Sequence, residues 1–130
     1  STAMQAVAAS STAMQAVAAS STAMQAVAAS STAMQAVAAS STAMHALYDR
    51  KQRLSGGSRS KSGKLIILEI SSGNAFDVTK YGFATLSNGS KPNWNNYLSK
   101  YSYFSQFKTY CTYIKNDTDP SDWIDYYEIK

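Results

Sequence analysis

Ser1-Thr2-Ala3-Met4-Gln5-Ala6-Val7-Ala8-Ala9-Ser10 opens the chain and governs its first third. The decapeptide runs four times without a change to Ser40. A fifth copy starts at Ser41, but after Met44 His45-Ala46-Leu47 replaces Gln-Ala-Val and Tyr48-Asp49-Arg50 breaks the pattern. A perfect repeat signals a repeated structural unit. This one has no charged residue, glycine, proline or aromatic ring, so it offers no chemistry. Its role is to make length.

Ala is the best helix former, with Met and Gln close behind, and Ala is depleted in strands, so local propensity favours helix. The Ser-Ser-Thr junctions oppose it, because Ser and Thr compete for the backbone and prefer caps. On one continuous helix, Met4, Val7, Met14, Val17, Met24, Val27, Met34 and Val37 are spaced 3, 7, 3, 7. The longer gap is bridged at Ser10 or Ser11, giving about 3.3 residues per turn, tighter than the relaxed 3.6. Such a stripe stays in one seam only if helices overwind and supercoil, so the repeat predicts self-association. The rival is a β-solenoid with one short strand per decapeptide. Its period-2 test fails, since Met4, Ala6, Ala8 and Gln5, Val7, Ala9 form no clearly distinct faces. A low-complexity linker is a further alternative, but a linker needs no Met and Val in strict register.

All twelve Lys/Arg and all eight Asp/Glu follow His45, so the net charge of +4 belongs to the second part. The repeat is already in phase at Ser1, which predicts a C-terminal piece of a longer chain. No basic n-region of a signal peptide precedes an apolar stretch. Ser-Ser-Thr and Gln interrupt every ten residues, against the ~20 apolar residues of a membrane span. Cys111 is alone, which excludes an intrachain disulfide and a Cys-x-x-Cys metal cluster.

From Tyr48 the composition turns over. Arg50, Lys51, Arg53, Arg59, Lys61 and Lys64 surround Ser55-Gly56-Gly57-Ser58, which reads as a basic, Gly/Ser-rich hinge over 48–63. The cluster could serve an anionic partner. The aromatic interleaving of single-strand nucleic-acid binders is missing, so a solvated joint with no nucleic-acid partner is the expectation. Lys64-Leu65-Ile66-Ile67-Leu68-Glu69-Ile70 predicts a central strand buried on both faces. Phe76 to Leu86 reads as strand broken at Gly82, and Asn88-Gly89 is a hairpin signal. Tyr101 to Ile114 alternates, with Cys111 on one face, and Trp123 to Ile129 is a last strand. Residues 64–130 therefore predict a small, mostly antiparallel β tip.

Few groups point to catalysis. His45 occupies a Gln position of the repeat, and Cys111 reads as a small buried residue on a strand. Asp117, Asp119 and Asp122 lack the glycine and terminal glutamate of a calcium loop, so an Asx-type turn is expected. No carboxylate pair stands out among Glu69, Asp77, Asp125 and Glu128. Neither a phosphate-cradling glycine loop nor a serine nucleophile motif is present. The expectation is no enzyme, no cofactor and no metal. Nine Tyr, two Trp and four Phe, however, all lie in 48–130. Surplus Tyr and Trp build binding surfaces at little entropic cost. Trp94, Tyr97, Tyr101 and Trp123, with Asn93, Asn95 and Asn96, are the candidate receptor-binding residues.

The motif Ser-Thr-Ala-Met-x-Ala-Val-Ala-Ala-Ser resembles a repeat found near the C-termini of bacteriophage tail fibre proteins, where it precedes a Gly/Ser-rich joint and a short β-rich end domain. The resemblance covers residues 1–47 in the motif, and 48–130 only as an arrangement of joint, apolar strand and Asn-Gly turn. It implies a virion location, a homotrimer, attachment to upstream fibre or baseplate proteins, and a tip that touches a bacterial surface glycan or protein receptor. The combined expectation is an α+β chain: an elongated, oligomeric, coiled-coil-like stalk (1–47), a hinge (48–63) and a β tip (64–130) that binds without catalysis. A polysaccharide-depolymerising tip and a purely structural or ice-binding Ala/Ser/Thr repeat are the alternatives.

Overall fold

In a computed structural model of the chain, residues 2–57, 59–71, 81–94, 98, 109–117 and 122–130 are described. The repeat is helical, but no continuous coil forms. Each decapeptide is its own two-turn helix: α1 (Thr2–Ala9), α2 (Ser11–Ala18), α3 (Ser21–Ala28), α4 (Ser31–Ala38) and α5 (Ser41–Tyr48). The breaks fall at Ser10, Ser20, Ser30 and Ser40, which take extended backbone angles with φ from −101° to −121°. Each of these serines is an N-cap. Its Oγ accepts the N–H of the alanine three residues on, at 3.1 to 3.3 Å. Its carbonyl starts the next ladder, as in Met14 N–H to Ser10 O at 2.9 Å. The capping preference of serine thus overrides the continuous-helix reading.

The broken helices fold back on the chain itself. Each packs on its neighbour, and α4 also stacks on α1 and α5 on α2, so three helices complete one turn of a superhelix. Met14, Met24, Met34 and Met44 lie inside it at 0–2 % exposure. The Met/Val ridge, expected to be buried only between chains, is therefore largely buried within one. The premise for obligatory self-association falls with that. No helix among the described residues is long and apolar enough to cross a membrane.

The second part is a five-stranded antiparallel sheet in the order β1-β5-β2-β4-β3. The strands are β1 (Gln52–Ser55), β2 (Arg59–Ser71), β3 (Ala84–Leu86), β4 (Cys111–Asn116) and β5 (Trp123–Ile129). The central β2 pairs through its first half with β4 and through its second half with β5. Leu65, Ile66, Ile67, Leu68 and Ile70 are all 5 % exposed or less, as the apolar run predicts. Ile66 and Leu68, with Tyr127 and Ile129 of β5, join the core of the helical stack. Leu65, Ile67 and Ile70 join a second cluster on the other face, with Ile114, Ile124 and Cys111. Burying such a side chain on either face stabilises by about 1.5–3 kcal/mol. The sheet curls until Asn116 of β4 donates from Nδ2 to the Leu54 carbonyl of β1, at 3.1 Å.

The expected hinge is structured. Residues 52–55 form β1 and 59–63 begin β2, with Gly56 and Gly57 in the turn between them. Gly57 sits at φ +100°, and the Gly56 N–H donates to the Asp122 carbonyl at 2.9 Å. Cross-strand partners on β5, facing residues 52–55, and on β4, facing residues 59–62, hold this glycine- and serine-rich segment, and composition alone does not reveal them. Of the strand expected between Phe76 and Leu86, Ala84–Leu86 form β3 and residues 81–83 are turn and bend; residues 72–80 and 101–108 lie outside the described residues.

Candidate functional site

The segments on either side of β3, residues 81–83 and 87–94, gather the exposed aromatic and amide groups. Asn88-Gly89 makes the turn the sequence predicts: Gly89 lies at φ +87°, a conformation that suits glycine, and Asn88 Oδ1 accepts the Ser90 N–H at 3.0 Å. The chain then runs back beside β3, tied by Leu86 N–H to Ser90 O at 2.9 Å and Gly82 N–H to Pro92 O at 3.3 Å. The second bond joins the 81–82 peptide, which carries Tyr81, to the 92–93 peptide, which carries Asn93. Tyr81 is 72 % exposed, the one exposed large hydrophobic among the described residues. Lys91 and Asn93 are exposed beside it, Pro92 is buried, and Trp94 is half-buried against the second core cluster. An open phenol ring, an amide and an ammonium on two segments tied by one backbone bond can stack on and hydrogen-bond to a ring-shaped ligand.

Trp123 has a different setting, where α5 meets the sheet. The Arg53 guanidinium lies 4.3 Å above its ring, and its Nε1–H donates to Glu69 Oε1 at 3.4 Å. The same carboxylate accepts the Tyr48 hydroxyl at 3.3 Å, and Lys51 covers the Tyr48 ring at 4.5 Å. Arg53 also makes a two-pronged bond to the fully buried Asp125, at 2.8 and 3.0 Å. Burial first, then the Glu69 and Asp125 carboxylates, push the Tyr48 hydroxyl above its ordinary value. The bond to Asp125 raises the Arg53 guanidinium as well. With these contacts made, the cluster works as a clamp between helix and sheet, and Trp123 serves that clamp.

Of the seven residues singled out from the sequence, the structure brings Asn93 and Trp94 together on the β3 loop and puts Trp123 in the clamp. Asn95, Asn96, Tyr97 and Tyr101 lie outside the described residues. Tyr81 was missed. The one hint was its place directly before Gly82, whose φ of +81° turns the chain into β3.

Cys111 is wholly buried on β4, and burial pushes its thiol up to about 12, so it holds its proton at neutral pH and is no nucleophile. His45 is exposed on α5, 3.7 Å from Asp49. Asp117 pairs with Lys115 at 3.3 Å, while Asp122 is buried and Asp119 lies outside the described residues. Among the described residues no group of three His, Cys, Asp or Glu side chains is placed to hold a metal ion. Compared with known proteins, the chain matches no family model, no curated protein and no solved structure.

Proposed function

We propose that this chain is the structural and receptor-binding part of a bacteriophage tail fibre, attaching the virion to a polysaccharide or outer-membrane component of the bacterial surface. The observation that carries the binding half of the reading is Tyr81, exposed where the segment before β3 is tied through Gly82 and Pro92 to the segment that carries the exposed Lys91 and Asn93. An open phenol face with an exposed amide nearby supplies the stacking surface and the hydrogen-bonding group that a sugar ring takes. The decapeptide motif supports the fibre half, as does a stack that lengthens by whole turns.

A single ring and amide bind weakly. Mounted three to a fibre, as the resemblance implies, such sites gain avidity through effective concentration. The fibre reading also supplies the upstream fibre or baseplate proteins to which the stack attaches. Binding, not bond cleavage, is the proposed activity.

The test is adsorption to a panel of bacterial cells and of purified surface polysaccharides. Tyr81→Ala with Asn93→Ala should reduce retention at least tenfold while the far-ultraviolet circular dichroism stays unchanged. Retention that survives the pair places the site elsewhere. Reducing ends released from a polysaccharide that the chain retains would replace binding with depolymerisation.

A further inference from the structure

Five copies of nearly one sequence allow each position to be compared with itself. Within the decapeptide, the third residue is exposed at Ala3, half-buried at Ala13 and Ala23, and buried at Ala33 and Ala43. The sixth is exposed at Ala6, Ala16 and Ala26, half-buried at Ala36, and buried at Ala46. The seventh is half-buried at Val7 and Val17, then buried at Val27, Val37 and Leu47. Met4 is half-buried, whereas its four equivalents are at 0–2 %. Sequence cannot cause this gradient, because the first four copies are identical and already show it. Position in the superhelix does. The faces buried on α4 and α5 are covered by α1 and α2, the helices three before them. The matching faces of α1, α2 and α3 have no such helix over them, and there Met4, Val7, Val17, Ala23 and Ala26, with the buried Val27 and Ala33 at its floor, line an open apolar hollow of ≈ 450 Å³.

A polar mark repeats at the same interface. Besides capping α5, Ser40 donates its hydroxyl to the Ala8 carbonyl at 2.7 Å, joining the fourth decapeptide to the first. One step on, the position that would reach Ala18 is Arg50, and the Tyr127 hydroxyl of the sheet donates to the Ala18 carbonyl instead, also at 2.7 Å. The sheet therefore closes the C-terminal end of the stack by imitating the next repeat. At the other end the hydroxyls of Ser10, Ser20 and Ser30 cap their helices, and no bond like that of Ser40 to a carbonyl three helices back is made there among the described residues.

We infer that the uncovered face of α1–α3 is a docking surface for a further turn of the same decapeptide, three helices stacked in the same screw. The occupant follows from continuity with the α1–α4 and α2–α5 interfaces. A preceding turn would bring three carbonyls of the Ala8 kind to the hydroxyls of Ser10, Ser20 and Ser30, and would cover the Ala-x-x-Ala-Val faces that α4 and α5 already bury. It needs no charge, and the hollow contains none. The surface extends the stack at one end only, since the sheet closes the other.

The experiment extends the full chain at its N-terminus by three decapeptides, with a composition-matched scrambled extension as control. The repeat extension should raise the urea midpoint, keep a single transition, and add helical signal in proportion to its length; the scrambled one should do none of these. In the parent, Met4→Ala should lower the midpoint by less than half as much as Met34→Ala does. In the extended chain the two losses should become equal. Sedimentation should show both chains in the same oligomeric state. Three results overturn the inference: an extension that stays unstructured, a Met4→Ala loss the extension does not change, or a parent that dimerises and separates on Met4→Glu, which gives the face to a second copy.

Discussion

Replacing Ser10, Ser20, Ser30 and Ser40 by alanine tests the reading of the repeat most directly, because two architectures predict opposite signs. In a continuous helix each serine sits in the interior, and alanine there gains about 0.5 kcal/mol of propensity. In the stacked arrangement each serine is an N-cap whose Oγ accepts an alanine N–H at 3.1 to 3.3 Å, and losing it costs about 1 kcal/mol. Ser40→Ala should cost about 1 kcal/mol more, because the Ser40 hydroxyl also serves the Ala8 carbonyl. The fourfold variant should then lose about 4–5 kcal/mol, a large part of the 5–15 kcal/mol that holds a domain of ordinary stability. The assay is urea unfolding followed by far-ultraviolet circular dichroism, with each single variant beside the fourfold one. The reasoning is refuted if the fourfold variant unfolds at a higher midpoint with more helical signal, since the serines would then interrupt a helix rather than start one.

Two further perturbations probe the sheet. Arg53→Ala leaves the Asp125 carboxylate buried without its two-pronged partner and uncovers Trp123, so it should destabilise by about 2–3 kcal/mol. Urea midpoints measure the loss, a change in tryptophan emission should accompany it, and an unaltered midpoint would mean the clamp contributes nothing. Cys111 should make stability fall in alkali: its thiol is raised from 9.0 to about 12, so the folded chain keeps a proton that the unfolded chain gives up. That contribution is whole below pH 9.0 and lost as pH rises towards 12, by up to about 1.4 kcal/mol per unit. Cys111→Ala should keep only the smaller fall of the same sign from Tyr48, Tyr126 and Tyr127, whose hydroxyls burial also raises; equal alkaline slopes for the two proteins would count against it.

Legibility differed between the two parts for a physical reason. The run Lys64–Ile70 could be read as a central strand because five large apolar side chains in six residues must be buried on both faces of something. Asn88-Gly89 was legible as local turn chemistry, and Trp123–Ile129 as a last strand. The hinge expected over 48–63 misled, because glycine and serine suit a hinge and a tight β-turn equally, and the partners on β4 and β5 come some fifty to seventy residues later. Tyr81 could not be chosen among nine tyrosines, since its exposure depends on the Gly82–Pro92 bond and on what the surrounding loop leaves open.

By itself the sequence determined that the repeat is helical, that Met and Val form its apolar ridge, and that a β-sheet built on one central strand follows. Tertiary structure alone decided how the ridge is buried. Serine serves either as a tolerable interior residue or as a good cap, and the two differ by only about 1 kcal/mol per junction. So small a local preference is settled by where each Met side chain finds its cover. That cover comes from a helix thirty residues away and from the sheet, beyond the reach of any local pattern.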